Sequence, residues 1–468
     1  MRRLFLLRRH RHQLHFFPAL LPLVEIVPLV LAGVGALATA VGAMGHRRRR
    51  VVIGAAMVAV LSLGGIAAAV YIRTPDKIVR YEGTKEIQPD TYDKVMHYAS
   101  LSDAARVEPA AMAEFDEVYS VQVETPILAT PAIAAGTLVL GTYKNTAEGF
   151  DLATGEMLWR LPQREPIFTI GKGMGDTIYV AEGLHHTRAG MMTKLSMPDA
   201  KIEWQRQFLG HLESPPALTA AGDQMFFPAG GGGIWSVRTD NGQVIWHANI
   251  GHTDATPLLA NHTVYAAAQP DEAVAESLFY ALDANTGAVK WTSKIQGQPW
   301  GCPVLSADGQ RIITTTGRGQ IGVARDTDAG WAMAISPDDG RVLWQRDLPG
   351  MAIDPGDYLP SEDLAVLTLK TGEIVAVDGR TGDIRWQVKI GTQFMAAAIV
   401  IERAGGKSPL VAATTADGVF TIRDAKTGKE IRRRPVLSGA SSAPVVQGDR
   451  IYVTAPYRIY VYGGLGSL

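Results

Sequence analysis

Two textures divide this chain. Up to residue 72 it alternates basic clusters with long apolar runs; from about residue 115 it is written in short β-type runs parted by Gly, Asp, Asn and Pro. The longest uncharged run, "VVIGAAMVAVLSLGGIAAAVYI" at 51–72, has 22 residues. As a helix it is about 33 Å long, enough to cross a bilayer. "HRRRR" at 46–50 directly precedes it and places the near side in the cytoplasm, so that everything after Arg73 is exported. Residues 1–15 form a basic N-terminus, and the segment 16–45 is also apolar but carries Pro18, Pro22, Pro28 and Glu25. Three readings fit it: a first transmembrane helix of inverted charge, a re-entrant or interfacial segment, or a start at Met44. The last makes 44–69 signal-like, with Ala67-Ala68-Ala69 as the cleavage site. The length of the apolar run favours an uncleaved anchor. Residues 73–114 read as a linker with one or two short helices, the best at 90–106.

Beyond 115 one unit recurs. "DLATGEMLW", "LDANTGAVKW", "ISPDDGRVLW" and "VDGRTGDIRW" share an acidic residue, a turn and a terminal tryptophan. Aligning on that position gives Trp159, Trp204, Trp246, Trp291, Trp344, Trp386 and then Arg432, at spacings of 45, 42, 45, 53, 42 and 46 residues. A period in the forties made of four short strands predicts a β-propeller, not a helical solenoid. Each unit supplies a Pro-led strand ("ATPLLA", "SAPVVQG"), a second ("TVYAAA", "RIYVTA"), a third ("LFYALD", "EIVAVD") and the strand that ends at tryptophan. Proline at a strand start removes a donor only at the end of the ladder. The glycine four residues before most of these positions (Gly155, Gly242, Gly287, Gly340, Gly382, Gly428) suits a tight turn of positive φ. The regular spacing makes the tryptophans docking elements that fill the wedge between neighbouring blades, rather than a row of exposed binding sites.

The count closes. After the seventh unit the chain offers three strands and no fourth, while "FDEVYSVQVE" at 115–124 supplies one at the other end. Tyr119 stands twelve residues before Pro131, the spacing of Trp291 to Pro303 and of Arg432 to Pro444. The expectation is an all-β, eight-bladed propeller over 115–464, its four-stranded antiparallel last blade sealed by both ends of the domain, which leaves no open edge.

The D-x-x-T-G-x-x-x-W units resemble the tryptophan-docking repeats of the pyrroloquinoline-quinone (PQQ)-like propeller superfamily across 115–464. Two branches of that superfamily matter. One comprises quinoprotein alcohol and sugar dehydrogenases; the other is the non-enzymatic, eight-bladed outer-membrane assembly scaffold of the BamB type. The dehydrogenase branch implies PQQ, a calcium ion held by carboxylate and amide oxygens, an Asp base and, in many members, a pair of adjacent cysteines. This chain has one cysteine, Cys302, and no Glu, Asn and Asp set that maps onto the metal ligands. Its blades are compact and its propeller of about 350 residues is near the size of the scaffold branch.

Composition narrows the partners. Residues 1–80 carry 12 Lys and Arg against Glu25 and Asp76, leaving 33 basic and 44 acidic residues in the remainder. A body that acidic repels nucleic acid. The single cysteine excludes an intrachain disulfide, a CxxC pair, haem attachment and, with none directly after the apolar segment, a lipoprotein anchor. Motifs of catalysis are weak. "GRGQIG" at 317–322 lacks a following amphipathic helix and reads as a blade loop; "GKGMG" at 171–175 reads as a hairpin within one blade. His185, His186, His211 and His252 lie in separate loops and read as solvent-facing more readily than as metal ligands.

What remains is a surface. The loops between second and third strands vary most ("AEGLHHTRAGMM", "AQPDEAVAESL", "TGRGQIGVARDTDAGW") and share a face with the connections into each next blade ("GHLESPP", "GHTDATP", "GQPWGCP"). His185, His186, Arg188, His211, His252, Asp254, Arg318 and Arg325 are the candidate partner-binding residues there. The expected function is a scaffold that docks other envelope or membrane proteins, held at the inner membrane by its N-terminal helix with the propeller in the periplasm. It needs no cofactor; the alternative is a PQQ- and calcium-dependent dehydrogenase. A sensory ectodomain is disfavoured because the 50 residues before the anchor leave no room for a signalling domain.

Overall fold

The computed structural model describes residues 78–79, 96–97, 114–184, 187–270, 276–319 and 328–468. Eight antiparallel sheets follow one another, each with four strands in meander order. Blade 1 spans Ala132–Pro162, blade 2 Ile167–Leu209, blade 3 Ala217–Ala248 and blade 4 Leu258–Gln296. Blades 5, 6 and 7 span Val304–Leu348, Ala352–Lys389 and Ile399–Pro435. Blade 8 takes three strands from Val445–Gly463 and its outermost from the front of the domain, Asp116–Gln122. That strand pairs from Asp116 opposite Gly463 to Gln122 opposite Arg458. The expected eightfold closure is the one observed.

A local device in each blade aims the docking side chain. Opposite the third strand, the outermost strand carries one extra residue immediately before the docking position. Ala281 faces Trp291 while Leu282 faces Val289, and the same slip precedes Trp159, Trp204, Trp246, Trp344, Trp386, Arg432 and Tyr119. A bulge of this kind bends the strand and re-aims the next side chain. The indole then reaches the turn of the following blade. Nε1 of Trp204, Trp246, Trp291, Trp344 and Trp386 donates to the carbonyl of Thr239, Ala284, Pro337, Gly379 and Ala425, at 2.8–3.1 Å. The turn glycines lie against these rings with φ near +70°: a Cβ on Gly287 would sit 2.8 Å from Trp246, and one on Gly340 2.6 Å from Trp291. Tyr119 plays this part at the seam, its hydroxyl donating to the Leu152 carbonyl at 2.8 Å. Trp159 departs from the rule. It is fully buried beside Met197 and Ala200, but its Nε1 has no hydrogen-bond partner among the described residues, and Ala200 holds the glycine position at φ +51°.

The linker corrects one expectation. Met96–His97, inside the helix expected at 90–106, is a short strand paired with Trp159 and Arg160 on the outer edge of blade 1. Ile78–Val79 extends blade 3 in the same way. An outermost strand presents unpaired backbone groups, and passing extended chain satisfies them. Among the described residues the only helical turns are short 3-10 segments such as Pro360–Glu362, and no helix is long and apolar enough to cross a membrane. The basic N-terminus, the apolar segments 16–45 and 51–72, and His185, His186 and Arg325 lie outside the described residues.

Candidate functional site

The meander puts two kinds of chain on one face: the loops between second and third strands, and the connections from each outermost strand into the next blade. They are stitched together. The connection after blade 3 bridges back to Gly230, in the loop of blade 3, through Thr253, and forward to Gln269, in the loop of blade 4, through His252. The connection after blade 4 bridges to blade 5 through Gln298 and Gly317. Thr169 of blade 2 donates to the Leu212 carbonyl at 3.2 Å, fixing the connection after blade 2 from the inner side. Loops held this way brace one another across neighbouring blades.

Three of the candidate residues converge on it. His211 lies in the connection between blades 2 and 3, and His252 and Asp254 in the next. The Nε2 of His211 is 2.9 Å from Asp254 Oδ1 and that of His252 is 2.8 Å from Oδ2, so one carboxylate receives both imidazoles. The two rings tilt across each other with centroids 5.3 Å apart. His211 is buried, and Asp254 and His252 are largely so. Burial alone raises the Asp254 carboxyl; the hydrogen bonds and charge of the two histidines outweigh it and hold the group well below the usual carboxylate range. Glu213, which the sequence reading left unmarked inside "GHLESPP", brings Oε1 to 3.9 Å from His211 Nε2.

The other candidates stay apart from this cluster. Arg188 is exposed and lines a polar cleft of about 220 Å³ with Arg164, Glu165, Glu182 and Gln207. Glu182 on its floor is buried, which pushes its carboxyl up, while the N–H groups of Arg164 and Met191 donate to it and pull it back. Arg318 is exposed on blade 5 and lies over the Trp331 ring, 5.7 Å from its centroid. The six tryptophans serve the blade interfaces: Trp159, Trp204 and Trp246 are buried, and Trp291, Trp344 and Trp386 half-buried.

A calcium–quinone centre would need an oxygen-rich ligand set on this face. Calcium takes six to eight oxygen ligands. The one cluster of three or more potential ligands among the described residues is rich in imidazole nitrogen instead, and both its Asp254 oxygens are engaged by histidine.

Eight four-stranded blades, six of them locked to the next by a bulge-aimed aromatic and a turn glycine, define a PQQ-like repeat β-propeller. The chain belongs to the family described as outer membrane protein assembly factor BamB, whose profile matches residues 116–278 and 370–463. It is 24% identical over 389 residues to the outer membrane protein assembly factor BamB of Burkholderia pseudomallei (strain K96243), covering 76% of this chain and 94% of that one. It is also 22% identical over 352 residues to the polyvinylalcohol dehydrogenase of Sphingopyxis sp. (strain 113P3), covering 58% of this chain and 51% of that protein, about half its length. Among solved structures, BamB from Moraxella catarrhalis superposes with a TM-score of 0.54 at 17% identity, covering 75% of this chain and all of that one, a likeness of fold.

Proposed function

We propose that this protein is a non-enzymatic scaffold that docks other proteins in an envelope assembly complex, its propeller extracytoplasmic and its N-terminal segment 51–72 a membrane anchor. One observation carries the choice of branch. The match to a protein named as an outer membrane assembly factor runs over 94% of that relative, whereas the dehydrogenase relative is spanned for 51%. A compact propeller of this size has little chain left over for the insertions that roof an enzyme's active face.

The docking surface is the stitched face bearing Arg188, Asp254 and Arg318; Arg325, seven residues after Arg318 in the sequence, is a further candidate. Charged groups at the rim of an interface govern association more than fold stability. Substituting Arg188, Arg318 and Arg325 should weaken capture of envelope proteins about tenfold or more and leave the melting temperature unchanged, whereas Asp254, held between His211 and His252, also supports the fold. Unchanged capture would move the surface to the opposite face or to the 73–114 linker. The dehydrogenase reading has its own check: the purified chain supplied with PQQ and calcium should show no saturable cofactor binding and no alcohol or sugar oxidation with an artificial electron acceptor. Stoichiometric binding with turnover would reverse the assignment.

A further inference from the structure

We propose that His211, His252 and Asp254 form a binding site for a divalent transition-metal ion of the zinc class, with the fourth position left to water. The proposal is independent of the scaffold reading and rests on the construction of the cluster. One ligand atom from each of His211, His252 and Asp254 lies within 4.8 Å of the other two. Zinc bound at about 2.0–2.1 Å in a tetrahedron spaces its ligand atoms by roughly 3.3 Å, so side-chain shifts of about an ångström suffice to admit the ion. Two imidazoles and one carboxylate make a nitrogen–oxygen set that suits zinc, cobalt or nickel and is poor for calcium or magnesium.

The scaffold around the cluster is built for it. The two histidines occupy the same place in successive connections, "GHLESPP" and "GHTDATP", each directly after a glycine of positive φ packed against a neighbouring loop. A Cβ on Gly210 would fall 1.8 Å from the Ala229 carbonyl oxygen, and one on Gly230 only 2.1 Å from the His211 ring. The backbone of blade 3 is thus moulded to that imidazole. The bridges of His252 to Gln269 and of Thr253 to Gly230 hold the second connection in register with the first. Ligands fixed by backbone contacts on two blades need little ordering when an ion arrives, which favours affinity. Such an ion would tie blades 2, 3 and 4 together at the centre of the candidate docking face.

The test uses the full 468-residue chain, stripped with chelator and titrated with Zn²⁺ or Co²⁺ near neutral pH. One equivalent of zinc should bind at this site, cobalt should develop the intense visible absorption of a tetrahedral centre, and zinc should raise the melting temperature reversibly to EDTA. His252→Gln and Asp254→Asn should each weaken binding at least tenfold, with Arg188→Ala unchanged. X-ray absorption on the zinc-loaded parent gives a reading that needs no variant: two imidazole nitrogens are expected in the first shell. Absence of saturable binding, binding indifferent to both substitutions, or a shell of oxygens alone would each overturn the site.

Discussion

A turn glycine and the indole it meets make the smallest unit of this fold, and the two sources of its constraint are separable. Gly340 and Gly309 both have positive φ, +75° and +69°, but a Cβ on Gly340 meets Trp291 at 2.6 Å whereas one on Gly309 meets nothing within 4 Å. Gly309→Ala should therefore cost roughly 1 kcal/mol of backbone strain alone. Gly340→Ala should cost about 1–3 kcal/mol more through overpacking; equal losses in denaturant melts would deny the tryptophan its docking part. His247 makes the stability of blade 3 depend on pH. It is buried, stacked on Trp235 with centroids 3.9 Å apart, and donates from Nε2 to the Gly232 carbonyl. Burial depresses its affinity for a proton, and the carbonyl only partly restores it. Between its folded pKa and the unfolded value near 6.5, the unfolded chain holds more protons, so stability must fall as pH drops through that window. His247→Phe keeps the stacked ring and should flatten the difference in stability between pH 7 and pH 5 relative to the parent. An identical pH slope in the two chains would refute the assignment. The tryptophan and glycine positions were legible in the sequence because they recur at a fixed period and must meet in space. Ala200 was not, since only the observed φ shows it in the glycine's place.

Elements are held by what the ring closure leaves at its seam. Asp116–Gln122 completes blade 8, Phe115 stacks on Tyr462 with centroids 5.6 Å apart, and Tyr119 caps the turn of blade 1. Deleting 115–124 removes that strand and exposes a sheet edge. Phe115 alone contributes about 1.5–3 kcal/mol of apolar burial, so the deletion should lower the melting temperature of the whole propeller by several degrees and promote aggregation. An unchanged midpoint would disprove closure by this segment. Closure was legible because a missing fourth strand at one end and a spare strand at the other are matched in spacing. The added strands at 78–79 and 96–97 were not, because two-residue pairings onto an outer edge leave no periodicity to read. The loop residues fell between these cases. His211, His252 and Asp254 were recognisable as chemistry on one face, but their convergence depends on two connections being stitched to the blade between them.

At the scale of the whole molecule, a rigid ring presents two faces: short hairpins between first and second strands on one, and the stitched, more elaborate loops on the other. If 51–72 anchors the chain with "HRRRR" inside, a reporter fused after Leu468 should be active only on the extracytoplasmic side; cytoplasmic activity would remove the envelope role. A scaffold of this kind meets its partners through the stitched face. A photoreactive residue placed at Arg188 or Arg318 in the native envelope should crosslink this chain to another envelope protein, while the same probe at Asn261 or Gly448, in hairpins of the opposite face, should not. Crosslinks from Asn261 or Gly448 with none from Arg188 or Arg318 would contradict it.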